Sequence, residues 1–328
     1  MPDGLGMMSY VKLSFQNALN GVNTTSGHWF PFVSESVSED RAKMESKQNR
    51  FRYNEPNSRF GLRTVGGDLV VEVDPLTIGA MFMGALGTCV TTSASTHKDH
   101  LFTEANSHYG EGLPIQPFKL DIYRDCGSHD VYKNLFANSL TMKFAHGEFL
   151  GATMGVIGGN HETGAPVTPS FYTEVLAPKL DFTQCSMQIK GAAIDDFTSL
   201  EIQILNNLEA RPTLNGREYP TRWRRSNFRQ WRVTGAFDMV DRVLWDEWDA
   251  SSSSPLAVAV AYSPTNALTI EIPDFEFDTL GGNVGGQGVA NASFTGRAKH
   301  DTVTGKAGSA LLRNTDYDMD TYGAGTIA

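Results

Sequence analysis

Apolar and polar positions along the chain predict a strand and a buried helix at the centre of the fold. Leu69–Val73 is rich in β-branched residues, which is typical of a strand covered on both faces. Leu76–Leu86 follows without a single charge, and a helix that is apolar nearly all round must be buried. Asp74 suits the helix N-cap, Pro75 its first position and Gly87 the residue just past its end.

Alternating apolar and polar residues predict further half-buried strands on both sides of this unit. The predicted strands are His28–Val37, Phe118–Tyr123, Leu140–Phe144, Leu150–Val156, Ser186–Lys190, Leu200–Ile204, Arg232–Phe237, Leu256–Ala261, Leu268–Ile272 and Val289–Thr295. A short amphipathic helix is predicted at Asp241–Trp248, with Val243, Leu244 and Trp248 on one side. Two long polar segments, 38–62 (the first excursion) and 206–230 (the second excursion), interrupt the strands, and 91–116 is predicted to be a loop region.

The order of parts in the first half of the chain recurs in the second half. Val65-Gly66-Gly67 recurs as Val233-Thr234-Gly235, and Asp74 recurs as Asp241. We therefore predict a tandem duplication, with an N-terminal arm (1–27), a first domain (28–158), a linker (159–183), a second domain (184–298) and a C-terminal tail (299–328). Self-similarity of β-rich chains in general is the alternative. Each unit would have unpaired sheet edges, which closure into a ring with neighbouring subunits would remove.

Composition narrows the function classes. The net charge of −10 over 328 residues argues against a protein that grips nucleic acid by its phosphates. Cys89, Cys126 and Cys185 are widely spaced and form neither a disulfide framework nor a zinc pattern. The first ten residues lack the basic and apolar regions of a secretory signal, and the apolar helix is too short for a bilayer.

Several residue groups resemble catalytic or metal sites, but none is complete. His97 and His100, with His108 nearby, have a metal-like spacing, yet no Cys or carboxylate pattern completes a ligand set. Ser128-His129-Asp130 are consecutive and cannot form a catalytic relay. The glycine-rich stretch 281–288 lacks the Lys and Ser/Thr of a phosphate-binding loop. We expect no enzyme activity, no cofactor and no bound metal.

The most distinctive segment is Arg217–Arg232, which holds six arginines and four aromatic residues. Such a composition suits single-stranded nucleic acid or a protein contact. Because the chain as a whole is acidic, we favour a contact with another copy of this chain. The predicted inter-subunit residues are Arg217, Tyr219, Arg222, Trp223, Arg224, Arg225, Phe228, Arg229 and Trp231.

A series of short motifs points to a known family. They are Ser34-Glu35-Ser36, the Gly67–Val73 strand, Asp74-Pro75-Leu76-Thr77-Ile78-Gly79, Leu86-Gly87, Lys190-Gly191-Ala192 and Ile204-Leu205-Asn206-Asn207-Leu208. In this order they resemble bacteriophage tail tube (major tail) proteins of the siphophage type, over roughly residues 28–298. The loop region 91–116, the tail after 298 and the Arg-rich second excursion depart from that pattern.

The resemblance implies a mainly β protein, a tail-tube-type β-sandwich or barrel with one packed helix, assembling into rings. Stacked rings would form a hollow tube through which DNA passes into the host without specific binding. Rings would be trimeric and pseudo-hexameric if the chain is duplicated, and hexameric otherwise. The partners implied are other copies of the chain and the tail tip, tape measure and tail terminator proteins, with no membrane. The excursions would bridge adjacent rings, in a tail assembled in the host bacterial cytoplasm.

An acidic or neutral bore would repel DNA and keep it centred. The lumen-facing acids proposed from sequence are Glu148, Glu271 and Asp274. Three alternatives remain: another structural virion protein, a glycan-binding β-sandwich with Trp223, Phe228 and Trp231 in a sugar cleft, and an enzyme using a metal at His97 and His100.

Overall fold

The computed structural model describes residues 9–23, 27–47, 58–109, 113–124, 129–164, 179–214, 216–239, 243–249, 253–283 and 291–315. Within these ranges the chain is mainly β, as the sequence predicts, with two α-helices. Helix α1 spans Ile78–Leu86, and helix α2 spans Val243–Asp249. A 3-10 turn at Phe182–Gln184 leads into the second half of the chain.

The strands fall into an early and a late group. The early strands are β1 (Tyr10–Phe15), β2 (His28–Phe30), β3 (Ser34–Glu35), β4 (Ser38–Glu45), β5 (Ser58–Glu72), β6 (Gly87–Ser93), β7 (Lys98–Glu104), β8 (Phe118–Tyr123), β9 (His129–Ala145), β10 (Gly151–Gly158) and β11 (Asn160–Gly164). The late strands are β12 (Cys185–Ile189), β13 (Ala192–Ala193), β14 (Phe197–Leu205), β15 (Leu208–Arg211), β16 (Arg222–Arg225), β17 (Gln230–Asp238), β18 (Ser254–Ser263), β19 (Asn266–Asn283), β20 (Asn291–Ala298) and β21 (Ser309–Asn314).

One antiparallel sheet, here called the open sheet, crosses both halves of the chain. Its eight strands run in the order β4–β5–β10–β9–β14–β17–β20–β19. The halves meet where β9 pairs with β14 through seven residue pairs, from Ala145 opposite Ser199 to Ser139 opposite Leu205. Successive side chains point to opposite faces of a strand, so one face of this sheet joins the core and the other stays polar.

Two outer sheets share the core with the open sheet. The first outer sheet runs β2–β1–β8–β9–β11, and the second outer sheet runs β13–β12–β18–β19–β21–β7–β6. Strands β9 and β19 are 17 and 18 residues long, and each belongs to the open sheet and to one outer sheet. These two strands therefore tie the layers together through continuous backbone.

Most strand pairings of the first half have a counterpart in the second half, although β3–β5 and β15–β16 do not. Strand β9 pairs with β8, β10 and β11, and β19 pairs with β18, β20 and β21. In the same way, β1 pairs with β2 and β8, and β12 pairs with β13 and β18. Helix α1 follows β5, and α2 follows β17. The β6–β7 hairpin is an addition to the first half, and its β7 pairs with β21 of the second half.

Helix α1 lies at the centre of the core, and all nine of its residues are buried, as predicted. Gly87 ends it in the left-handed conformation (φ +96°), with its N–H bonded to the Met83 carbonyl. The predicted start is wrong by two residues, because Asp74 caps a preceding turn. Asp74 Oδ1 accepts hydrogen bonds from the backbone N–H groups of Leu76 (2.8 Å) and Thr77 (2.9 Å), and the helix begins at Ile78.

Three strands lie in segments that the sequence assigns to an arm, a linker and a tail. Strand β1 lies in the predicted arm, β11 in the predicted linker and β21 in the predicted tail. Each completes an outer sheet by pairing with β8, β9 or β19. Leu13 and Leu312 in these strands are fully buried.

Other predictions also need correction. The loop region 91–116 contains the end of β6 and all of β7, and the first excursion contains β4 and the start of β5. On α2, Leu244 is buried but Trp248 is 37% exposed, so they do not share a buried side. The side chain of Val243, the strand start at Val289 and the glycine-rich residues 284–288 lie outside the described residues.

Candidate assembly surfaces

The solvent-facing side of the open sheet is polar. Threonine, serine and glycine recur along its rows, as where Thr153, Thr141 and Gln203 lie side by side on β10, β9 and β14. Six acidic and three basic residues on this face are Asp68, Glu72, Glu201, Asp238, Glu276, Asp278, Lys143, Arg232 and Arg297. The face is therefore hydroxyl-rich and carries net negative charge.

Charged side chains on this face pair across neighbouring strands. Lys143 Nζ lies 3.9 Å from Glu201 Oε2, and Arg297 lies 3.4 Å from Glu276 and 3.2 Å from Asp278. A hydrogen bond from Lys299 is the main cause that lowers the pKa of Glu276, so this carboxylate stays ionised at neutral pH. Exposed pairs of this kind add little stability. They do fix where the charges of the face lie.

The three acids proposed from sequence for a bore lie off this face. Glu148 occupies the exposed turn between β9 and β10. Glu271 lies in the part of β19 that belongs to the second outer sheet, opposite Ala257 and Ser309. Asp274 lies beside it, and its buried Oδ1 has no partner among the described residues. Sequence alone did not show that β19 passes from one sheet to another.

The open sheet ends in two strands whose outer sides have no partner strand among the described residues. Strand β4 pairs only with β5, and residues 276–283 of β19 pair only with β20. The backbone N–H of Arg63 donates to the Glu218 carbonyl, away from β4. The residue opposite it, Arg41, therefore directs its own N–H outward. Such edges are templates for a strand of another chain.

Strand β4 and residues 58–64 of β5 form a two-stranded arm with exposed side chains on both faces. Met44 is 58% exposed and Phe60 is 70% exposed. The Arg41 guanidinium lies 6.0 Å from the centre of the Phe60 ring. Large apolar side chains on a projecting arm are typical of a contact surface.

An ionic cluster holds the root of this arm. Glu39 Oε2 lies 3.4 Å from His161 Nδ1, and His161 Nε2 lies 2.8 Å from Asp130 Oδ1. The Tyr219 hydroxyl of the second excursion donates to Glu39 (3.5 Å) and accepts from Arg63 (3.1 Å). The two excursions therefore meet in one hydrogen-bonded cluster.

The Arg-rich segment packs mainly against the first half of the same chain. Trp223 is 5% exposed, and its ring lies 5.3 Å from that of Phe136, in a small cluster that also holds Leu208. Trp231 is 1% exposed, and its Nε1 donates to Glu104 Oε1 at 2.5 Å. Both tryptophans are thus buried within one chain and have no surface left for a partner or a sugar.

Asn206 organises the two most buried arginines of this segment. It is fully buried, and its Nδ2 donates to the carbonyls of Ala85 (2.8 Å) and Ala137 (2.9 Å). Its Oδ1 accepts from Arg225 and from Arg229, each at 2.8 Å. Asn206 belongs to the motif at 204–208, but nothing in the sequence identified it as the link between the excursion and the core.

Burial disfavours the charged form of the two guanidinium groups, but both stay charged at neutral pH. Desolvation lowers the pKa of Arg225 to about 10, with a smaller effect from neighbouring Arg229, and desolvation also lowers the pKa of Arg229. Arg229 donates to the Leu86 carbonyl (3.3 Å) at the last residue of α1. A cation is favoured there, because the carboxyl end of a helix is the negative end of its dipole.

The remaining residues of the predicted contact lie on the surface. Arg217, Arg222 and Phe228 are exposed, Phe228 by 86%, and Arg224 pairs with Glu209 at 2.6 Å. The arginine and aromatic pattern therefore marks a contact, but its aromatic anchors join the two halves of one molecule. Within the single chain, other residues cover Trp223 and Trp231, so neither ring is exposed to another copy.

The histidines proposed for a metal site have structural partners. His100 is buried, with its ring nitrogens 2.9 Å from Thr91 Oγ1 and 3.2 Å from Asn314 Oδ1. His97 Nδ1 lies 3.1 Å from Thr96 Oγ1. Within the ranges given above, no group of three or more His, Cys, Asp or Glu side chains is placed to hold a metal ion.

Cys89 and Cys185 form no disulfide and are partly buried. Burial raises the pKa of the Cys185 thiol to about 11, which keeps it protonated and makes it a poor nucleophile at neutral pH. Cys126 and Ser128 lie outside the described residues.

Neither described helix is long and apolar enough to cross a membrane. The polar face, the two open sheet edges and the exposed arm define a β-rich protein whose surfaces serve assembly. A family model described as phage tail tube protein matches residues 16–298, from the end of β1 to the end of β20. The chain therefore belongs to the phage tail tube protein family, and it is a structural component of the virion tail. No curated protein matches the chain.

Proposed function

We propose that this chain polymerises into stacked rings that form the hollow tube of a siphophage-type tail, through which DNA passes into the host. The observation that carries this proposal is the junction between β9 and β14. It joins two halves with matching strand order through seven residue pairs. Strands β19 and β4, the counterparts of β9 and β14, lie at the open ends of the same sheet.

The matched pairings support a tandem duplication. We place the first unit at residues 10–164 and the second at 185–314, because β1, β11 and β21 each complete an outer sheet. If β19 of one copy pairs with β4 of the next as β9 pairs with β14, three chains close a pseudo-sixfold ring. The ring would hold three times eight strands and would have no free edge.

The open-sheet face is the wall that we assign to the bore. Its acids, including Asp68, Glu72 and Glu201, outnumber its bases, and the rest is largely hydroxyl-rich. Such a wall repels phosphates and offers them few fixed cations, so DNA would pass without being held. The arm with Met44 and Phe60 is the segment that we assign to contacts between rings.

The other partners follow from the same assignment. Tail tip, tape measure and tail terminator proteins would bound and fill the tube, and assembly would take place in the host bacterial cytoplasm. The chain would act as a passive conduit, with no catalytic residue and no cofactor.

Negative-stain electron microscopy of the purified protein tests the proposal, together with native mass spectrometry of any rings. We expect tubes of uniform diameter built from trimeric rings. Rings of six chains would refute the pseudo-sixfold arrangement. Protein that stays monomeric at high concentration with a tail-tip initiator present would refute the tube itself.

Strand pairing between copies has its own test at Arg41. Arg41→Pro removes an N–H that points outward at the β4 edge and leaves the ladder to β5 intact. Arg41→Ala is the matched control, since it removes the same side chain and keeps the N–H. We expect rings from the alanine variant and none from the proline variant. Equal ring yields would refute pairing at this edge.

A further inference from the structure

The outer face of the first outer sheet carries an aromatic ladder. Tyr10 lies between Trp29 and Tyr123, with ring centres 4.7 Å and 4.8 Å away. Lys12 Nζ lies 5.1 Å from the centre of the Trp29 ring. These side chains alternate with the buried residues of β1 and β8, so they stand on the side away from the core.

Beside the ladder lies a cavity of about 290 Å³, here called the outer-sheet cleft. Its lining includes Tyr10, Lys12, Trp29, Asp121, His129 and Glu162. This volume is at the lower end of the ~300–1,000 Å³ range of small-molecule sites. The cleft therefore has room for a small ligand and presents both ring surfaces and polar groups to it.

Four lysine and carboxylate side chains in the cleft form two ion pairs, and Lys12 lies over the Trp29 ring. Lys119 Nζ lies 2.8 Å from Asp121 Oδ2, and Lys133 Nζ lies 2.6 Å from Glu162 Oε2. The cleft thus offers donors and acceptors together and little net charge. This combination fits a ligand rich in hydroxyl groups better than a phosphate or a strongly acidic peptide, which would need unpaired cations.

One polar group in the cleft is buried and unsatisfied. His129 is 6% exposed, and its Nδ1 has no hydrogen-bond partner among the described residues. A buried ring nitrogen without a partner is uncommon and calls for an explanation. At the same end of the cleft, a Cβ on Gly164 would lie 2.6 Å from the His129 ring, so only a glycine lets the ring lie this close to β11.

The second half of the chain provides an internal comparison. At the outward positions of β18, the counterpart of β8, it has Ala257, Ala259 and Ala261. The same sheet therefore forms there with small side chains, so the fold does not require the aromatic and charged lining found in the first half.

We propose that the outer-sheet cleft binds a saccharide, with a pyranose ring against Trp29 and Tyr10 and its hydroxyls among Lys12, Asp121 and Glu162. Flat aromatic rings beside paired donors and acceptors match the apolar face and the hydroxyl rim of such a sugar. The position of the cleft on the outside of a tube rests on the proposed function, but sugar binding by the chain does not.

Saturation-transfer NMR of the full chain with D-glucose, D-galactose, D-mannose, L-rhamnose and N-acetyl-D-glucosamine tests the proposal. We expect transfer to at least one sugar, with binding about tenfold weaker in Trp29→Ala. Trp248→Ala removes a partly exposed aromatic residue from the other half and should bind normally. Glu162→Gln, on the cleft rim, should also weaken binding, and this variant tests the proposal if Trp29→Ala does not fold.

Two results would overturn the saccharide proposal: transfer to none of the five sugars, or unchanged transfer in folded Trp29→Ala and Glu162→Gln. The outcome is separable from that of the proposed function. Protein that forms tubes but binds no sugar would support the conduit and refute the saccharide site. Protein that binds a sugar but never assembles would support the saccharide site and refute the conduit.

Discussion

Replacing Trp223 by alanine tests whether the second excursion joins the two halves of one molecule or two different molecules. The indole is 5% exposed and packs against Phe136 and Leu208. Its Nε1 has no hydrogen-bond partner within the described part of the chain, so the substitution breaks no hydrogen bond of the indole there. The loss is therefore one of apolar contact and of the space left behind.

The size of the effect follows from the buried area. An aromatic side chain buries ~150–250 Å², which at ~25 cal/mol per Å² corresponds to about 4–6 kcal/mol. Because the unfolded chain already buries part of this area, that range is an upper bound. Trp→Ala changes in cores cost ~3–5 kcal/mol. We expect the free energy of unfolding to fall by about 3–4 kcal/mol.

Urea unfolding of dilute, unassembled protein measures this difference through the midpoint and the slope. Phe228→Ala is the matched control, because Phe228 lies in the same excursion but is 86% exposed. Its free energy of unfolding should stay within about 0.5 kcal/mol of the wild type. If Trp223→Ala unfolds like the wild type and yet forms no rings, Trp223 faces another copy and the intramolecular account is wrong.

Three further predictions concern the core and its caps. Asn206→Leu leaves Arg225 and Arg229 without a shared acceptor and should lower the free energy of unfolding by about 3 kcal/mol or more in urea titrations; a loss under about 1 kcal/mol would show that the contacts are replaced. Gly87→Ala places a Cβ at a residue of positive φ, 3.1 Å from the Cβ of Ala105. Thermal melts should show the protein destabilised by about 1–2 kcal/mol. The effect should exceed that of Gly147→Ala, where φ is also positive but no atom lies near the added Cβ. Cys185 should react slowly with iodoacetamide at pH 8 in the folded protein, and its neutral thiol stabilises the fold below about pH 9. As pH rises towards 11, the free energy of unfolding should therefore fall more in the wild type than in Cys185→Ala. Rapid alkylation at pH 8 would contradict the raised pKa of the thiol.

The strand and helix at Leu69–Leu86 could be predicted from sequence because each signal is local. The β-branched run, the uncharged helix and Gly87 act within a few residues of where they lie. The halves also show their similarity locally, through the order of strands and helices. Alternation predicted the positions of β12, β14, β17 and β18 for the same reason.

The sequence alone could not show which distant residues pack against each other or which distant strands pair. Arginine and aromatic residues correctly indicated a contact at Trp223, but composition does not say whether Phe136 of the same chain or of another chain receives it. Glu271 and Glu276 lie on one long strand, yet only the pairings show that the strand changes sheet between them. Strands β1 and β21 were missed because each is only six residues long and lies in a stretch that is otherwise polar and rich in glycine.

The pairing of β7 with β21 sets the moment at which the chain can finish folding. Strand β7 leaves the ribosome early, but its partner, Ser309–Asn314, is made about 200 residues later. Until then, one side of β7 and one side of the inner part of β19 stay bare, and pairings between such distant residues form slowly. A nascent chain is therefore prone to aggregate until β21 has emerged, and a chain that stops before residue 309 keeps both edges uncovered.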